Sequence, residues 1–161
     1  MKLTHIDDEG SAKMVDVSKK DETERIAVAA GRVLVAPETF ELIRENRVGK
    51  GDVLATARLA AIIAAKKTPE LIPLAHPIPI SEVSVDFDLD EVTHAVEITV
   101  TVRTVFRTGV EMEAIVGVVT AAATIYDMIK AVDRTAVITD VRLLKKSGGK
   151  SGTFTREEDR S

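Results

Sequence analysis

The chain has 161 residues, 45% hydrophobic and 30% charged, with 22 Lys plus Arg against 26 Asp plus Glu and a formal charge of -4. Such a length and composition give one compact domain with a real core and exclude a disordered chain. The acidic balance and 3% aromatic content argue against nucleic acid as a partner, and the absence of Cys excludes disulfides, thiolate zinc sites and a cysteine nucleophile.

The N-terminal stretch "MKLTHIDDEGSAK" is polar and lacks the apolar run of a signal peptide. The longest apolar stretch, residues 114–126, is about a dozen residues, against the ~20 that a membrane span needs. A cytoplasmic protein without membrane contact is expected, with a single domain at 14–152 between flexible termini at 1–13 and 153–161.

In chain order, "RIAVAAGRVLVA" (25–36) is β-rich with a glycine interruption, which predicts a strand with a bulge or bend. "PETFELIREN" (37–46) opens on a proline suited to the first helical position, with apolar Phe40 and Ile43 three apart. Asp52 stands where it can cap an alanine-rich helix, "VLATARLAAIIAAKK", which Lys66 and Lys67 close. Prolines at 69, 73, 77 and 79 forbid a long helix in "TPELIPLAHPIPI". "SEVSVDFDLD" and "HAVEITVTVRTVF" alternate apolar and polar residues around a short acidic turn, the pattern of a β-hairpin. A long helix follows within "RTGVEMEAIVGVVTAAATIYDMIKA" (107–131), and "TAVITDVRLLKK" (135–146) reads as a last strand. The order β-α-α-β-β-α-β predicts an α+β sandwich with helices on one face of a mainly antiparallel sheet.

Charged residues cluster at both ends of the long helix. Thr108 and Glu111 have the spacing of a capping box, which explains Glu111 without any chemistry. Glu113 has no such explanation. Asp127 and Lys130, three apart on one helix face, form either a surface ion pair or a carboxylate–ammonium acid/base pair; their neighbours Tyr126, Met128 and Ile129 favour burial. His76 precedes a proline, so an extended and stiffened loop displays its ring. It is either a positioned acid/base or a residue packed in a loop corner. No histidine pair has metal-ligand spacing, so no metal site is expected. Lys50 lies between two glycines, and Lys146 and Lys150 bracket "SGG"; these settings suit the approach of a polyanionic small molecule. Lys66 is explained equally well by the helix dipole.

Together "MVDVSKKDETER", "GKGDVLATARLAAIIAAKKTPELIPLAHPI", "RTGVEMEA", "TIYDMIKAVD" and "LLKKSGGKSG" resemble the MoaC family of molybdenum cofactor biosynthesis, in order, from about residue 14 to 152. The resemblance implies a ferredoxin-like sandwich in a homohexamer, a trimer of dimers with sites at the dimer interface. It implies a lyase that converts 3',8-cyclo-7,8-dihydroguanosine 5'-triphosphate to cyclic pyranopterin monophosphate and pyrophosphate. By the same resemblance Asp127 matches the catalytic aspartate, and Lys50, Lys66, Lys130 and Lys146 match pocket lysines, of which Lys50 and Lys130 join Asp127 as catalytic candidates. Leu74, Ala75, His76, Met112 and Glu113 match substrate-contacting segments, and Glu111 matches a pocket glutamate. Ala75 departs from the cysteine often found in the family. No cofactor is required by these residues, although Mg²⁺ can accompany a triphosphate. A non-enzymatic, oligomeric nucleotide-binding module of the same fold is the alternative; it would keep the lysines without needing Asp127.

Helix geometry adds one expectation. On a continuous helix, Glu113 and Asp127 stand about 21 Å apart along the axis at ~1.5 Å per residue. One nucleotide cannot use both from a single helix, so a pocket shared between two antiparallel subunits is predicted.

Overall fold

The computed structural model describes residues 10–157. In order these form β1 (Thr23–Leu34), α1 (Pro37–Arg44), α2 (Val53–Lys66), α3 (Thr68–Leu71), β2 (Glu82–Asp90), β3 (Ala95–Phe106), α4 (Glu111–Ile129), β4 (Val137–Ser147) and β5 (Phe154–Thr155). The strands make one antiparallel sheet in the order β2-β3-β1-β4-β5. β3 lies between the two strands that the α1–α3 crossover joins, which is the split βαβ arrangement of a ferredoxin-like sandwich. The α+β reading therefore holds, with α3 and β5 as additions.

Strand alternation decides which side of the sheet is covered. Ala27, Ala29, Gly31 and Val33 of β1, and Val96, Ile98, Val100 and Val102 of β3, are buried at every second position. α4 lies against β1, β3 and β4, and α2 packs beside it. The two helices approach closely because their facing positions are small. Ala57, Ala61 and Ala65 of α2 are fully buried, and a Cβ on Gly117 of α4 would stand 3.6 Å from the Ala61 carbonyl oxygen. Asp52 caps α2 as expected, its carboxylate accepting from the Ala55 N–H at 2.9 Å. Phe40 and Ile43 of α1 are both buried.

The irregularity expected at the glycine of β1 is present, although the extra residue lies on the neighbouring strand. β1 runs in continuous register with β3, so Gly31 makes no bulge there. The register shifts fall in the β1–β4 pairing, one of them between Ala30 and Arg32 on either side of Gly31, where β4 carries the extra residue and Asp140 adopts a φ of 54°. Gly31 is instead required by packing: a Cβ there would meet Val118 Cγ1 at 2.6 Å and Val141 Cγ2 at 3.2 Å. The tail also supplies structure, since Phe154 and Thr155 pair with Lys146 and Lys145.

At 19 residues α4 is, among the described residues, the one helix long and apolar enough to span a membrane, yet its middle is buried in this fold. Ala114, Val118, Ala121, Ala122 and Ile125 are fully covered, which is the signature of a core helix. Sheet and α2 together cover most of it. A stripe that includes Met112 and Val119 stays exposed, as do Leu59 and Ile63 of α2.

Candidate active site

Candidate residues gather at each end of α4. At its N-terminal end the expected capping box is absent. The helix starts at Glu111 with Val110 as N-cap, and no side chain caps it. The chain still belongs to the preceding loop at Thr108, two residues short of the position a capping threonine needs. The Glu111 carboxylate folds over Gly109, so closely that a Cβ on Gly109 would lie 2.0 Å from Oε2. Glycine leaves room for that carboxylate to line the cavities beside it.

Two cavities meet here. One, of about 380 Å³, is lined by Leu74, Ala75 and His76 from the proline-rich loop and by Glu111, Met112 and Glu113 from α4. The other, of about 560 Å³, is lined by the cations Lys20, Arg25, Arg107, Lys146 and Lys150. Lys20, Thr108, Gly109 and Glu111 line both, so a wall rich in cations adjoins one bearing carboxyls and an imidazole.

The titratable groups at this end are held in distinct ways. His76 Nε2 lies 2.8 Å from the Val15 carbonyl oxygen, which can only accept, so Nε2 carries a proton. In the neutral ring Nδ1 is then the lone-pair nitrogen. Glu113 is only 3% exposed, and burial raises its carboxyl to a pKa of about 7; its own backbone N–H opposes this, and the nearby Glu111 charge adds to it. Lys146 Nζ donates to Ser151 Oγ across the glycine loop. In that loop Gly148 and Gly149 have φ of 97° and 73°, in the left-handed region.

At the C-terminal end Asp127 is clamped between two ammonium groups. Lys130 Nζ lies 2.7 Å from Oδ1, and Lys50 Nζ lies 3.2 Å from Oδ2 and 2.7 Å from the Asp127 carbonyl oxygen. Lys50 reaches this point because α2 and α4 are antiparallel, which puts the "GKGD" turn before α2 beside the end of α4. The hydrogen bond from Lys130, then that from Lys50, lowers the Asp127 pKa; Asp127 in turn raises that of Lys130. Contrary to the burial suggested by their apolar neighbours, the two side chains are half exposed, at 57% and 52%. A shallow cavity of about 350 Å³ adjoins them, lined by Lys50, Tyr126, Lys130, Ala131 and Arg134.

The sequence candidates thus fall into two groups. Leu74, Ala75, His76, Glu111, Met112, Glu113 and Lys146 come together at one end of α4, and Lys50, Asp127 and Lys130 at the other. α4 is unbroken from Glu111 to Ile129, so the groups are separated by about 21 Å along its axis. Lys66 is exposed at the end of α2 and lines none of these three cavities. Arg25, Arg107 and Arg134 were not singled out by the sequence. Arg25 and Arg107 both lie inside motifs that carry the resemblance, at the end of "MVDVSKKDETER" and the start of "RTGVEMEA", but nothing in their local setting distinguishes either from a solvated residue. Among the described residues no group of three or more His, Asp or Glu could hold a metal ion.

Comparison with known proteins fits this arrangement. The MoaC family model matches residues 14–149. Cyclic pyranopterin monophosphate synthase of Thermomicrobium roseum is 57% identical, covering 98% of this chain and 95% of its own. The enzyme of the same name from Streptomyces coelicolor is 61% identical, over 96% and 90%. That from Clostridium perfringens is 56% identical, over 95% and 97%. With the family model spanning both ends of α4 and all but the last residues of the cavity walls, the chain belongs to the MoaC family.

Proposed function

We propose that the protein is a cyclic pyranopterin monophosphate synthase, a phosphorus–oxygen lyase of molybdenum cofactor biosynthesis. Its substrate is the cyclic dihydroguanosine triphosphate, and its products are cyclic pyranopterin monophosphate and pyrophosphate. The observation that carries the reading is the junction of two cavities that share Lys20 and Glu111, one in which five cations outnumber Asp21 and Glu111 and one that adds Glu113 and His76. A nucleotide-derived substrate has that division: a polyanionic tail and a heterocycle rich in N–H donors and acceptors.

In this reading Lys146 and its cationic neighbours hold the terminal phosphates. As a sugar hydroxyl gives up its proton to water or a base and its oxygen bonds to the α-phosphorus, the bond from that phosphorus to the bridging oxygen breaks, and the leaving pyrophosphate gains charge that fixed cations stabilise. The heterocycle lies against Leu74, Ala75, His76 and Met112. Asp127, Lys130 and Lys50 carry proton transfers during ring rearrangement, as an ionised carboxylate and two ammoniums in mutual contact. No protein-bound cofactor is part of this proposal; Mg²⁺ accompanying the triphosphate would offset part of its charge.

The same reading requires more than one subunit. Two copies packed antiparallel along α4 would bring Asp127, Lys50 and Lys130 of one to Glu113 of the other. The exposed apolar residues Leu59 and Ile63 of α2, with Met112 and Val119 of α4, support burial against a second copy. A trimer of such dimers in the cytoplasm completes the proposal. The test is to incubate the pure protein with the cyclic triphosphate and measure pyrophosphate and pterin. Release of both is expected. Binding without release would favour a nucleotide-binding module instead.

A further inference from the structure

We infer that Arg25 is a positioning residue that sets the width of the polyphosphate cradle, holding its two walls together. The inference rests on the cation-lined cavity described above and deepens its proposed use.

Arg25 lies on β1 between the two loops that carry the cavity's charged groups. Its Nε donates to the Phe106 carbonyl oxygen and its Nη2 to that of Arg107, both at 3.3 Å. The planar guanidinium thus grips two consecutive carbonyls at the end of β3, a fork that an ammonium cannot reproduce. From those carbonyls the chain runs directly through Arg107, Thr108 and Gly109 into Glu111.

On the other side the glycine loop closes over the same side chain. A Cβ at Gly149 would stand 1.8 Å from Arg25 Nη1, and one at Gly148 would stand 3.0 Å from Arg25 Cδ and 2.0 Å from the Glu24 carbonyl oxygen. Both glycines have left-handed φ, so the loop bends sharply where it meets the guanidinium. Lys146 precedes this bend and Lys150 follows it. The "SGG" motif is accordingly a glycine pair shaped to the Arg25 side chain, in addition to any phosphate it receives. Arg25 also lines the cavity. The side chain therefore ties one wall, supports the other and adds a positive edge between them.

The experiment uses the full-length protein with R25K, R25A, G149A and the R25A/G149A pair. R25K keeps the charge and loses the fork. We expect its KM for the cyclic triphosphate to rise about tenfold while kcat falls far less, and its affinity for inorganic pyrophosphate to fall by a similar factor. G149A should show the same bias. Part of the G149A loss comes from the left-handed φ of 73° and persists in any background, but the part caused by collision of the new methyl group with Arg25 disappears in R25A, so the double variant should lose clearly less than the product of the two single losses. Near-normal KM and pyrophosphate affinity in R25K, or losses that simply multiply in the double variant, would overturn the inference. Circular dichroism of each variant separates unfolding from a changed cradle. If the wild-type protein releases no pyrophosphate from the triphosphate, the proposed reaction fails. Direct titration with inorganic pyrophosphate still decides the role of Arg25.

Discussion

The two ends of α4 hold their carboxyl groups in opposite ways. Glu113, in the first turn, is almost completely buried, and burial lifts its carboxyl to about pKa 7. Asp127, in the last turn, is exposed and gripped by Lys130 and Lys50, which hold it below the usual carboxylate range. The first can hold or release a proton near neutrality; the second stays ionised beside two protonated amines. Environment, rather than residue type, separates these carboxyls into an acid and an anion. An isolated chain presents them about 21 Å apart.

The largest expected effect tests the anionic end. Asp127→Asn removes the charge shared by Lys50 and Lys130 while changing almost nothing in shape. We expect kcat to fall by about 10²–10⁴-fold with substrate affinity and the unfolding midpoint nearly unchanged. Turnover within a few fold of wild type would remove Asp127 from the proton-transfer group.

The next test asks whether the two ends work together across subunits. Glu113→Ala and Asp127→Asn, each inactive alone, are co-refolded in equal amounts. Random pairing makes half the dimers mixed, and each mixed dimer contains one site with both residues intact. Activity should return to roughly a quarter of the wild-type value. Mixed dimers verified by differential tags but without activity would mean that each end serves a site of its own.

The smallest effect concerns stability. The folded-state pKa of Glu113 lies above its ordinary value of 4.5, so between about pH 4.5 and 7 the folded chain binds more protons than the unfolded one. Stability contributed by this residue therefore falls as pH rises through that window and levels off above it. Glu113→Gln removes the dependence. The variant should match wild type near pH 4 and be more stable by roughly 1–3 kcal/mol near pH 8, read by urea unfolding. An equal difference at both pH values would show that the carboxyl is not held protonated.

Much of the framework was legible because it depends on local pattern. Alternation marked the hairpin, Asp52 marked the start of α2, and the apolar run marked α4 as a core element. The spacing of Thr108 and Glu111 misled, since a capping box also needs the helix to start at the threonine, and here the loop runs on to Val110. Pairings across long separations left no local trace. His76 meets the Val15 carbonyl across 61 residues, and Lys50 meets Asp127 across 77. The glycines at 148 and 149 were visible as a flexible loop, but the arginine they accommodate lies far back in the chain, on β1. Local setting marked His76, Lys50 and Asp127 individually, but not the partner that each would meet.

Gly31 gives the helix a fixed bearing. Its bare backbone lets Val118, near the middle of α4, sit directly on the sheet, and a single methyl there would meet Val118 Cγ1 at 2.6 Å. Valine is stiff at χ1, so relief would come by moving the helix rather than the side chain. A rod lifted at its midpoint carries both of its tips. Glu113 and Asp127 would shift together, although neither lies near the substitution. The seat of α4 on β1 is thus a common datum for the two ends, and an adjustment made in the dry interior would be read out at two distant carboxyls at once.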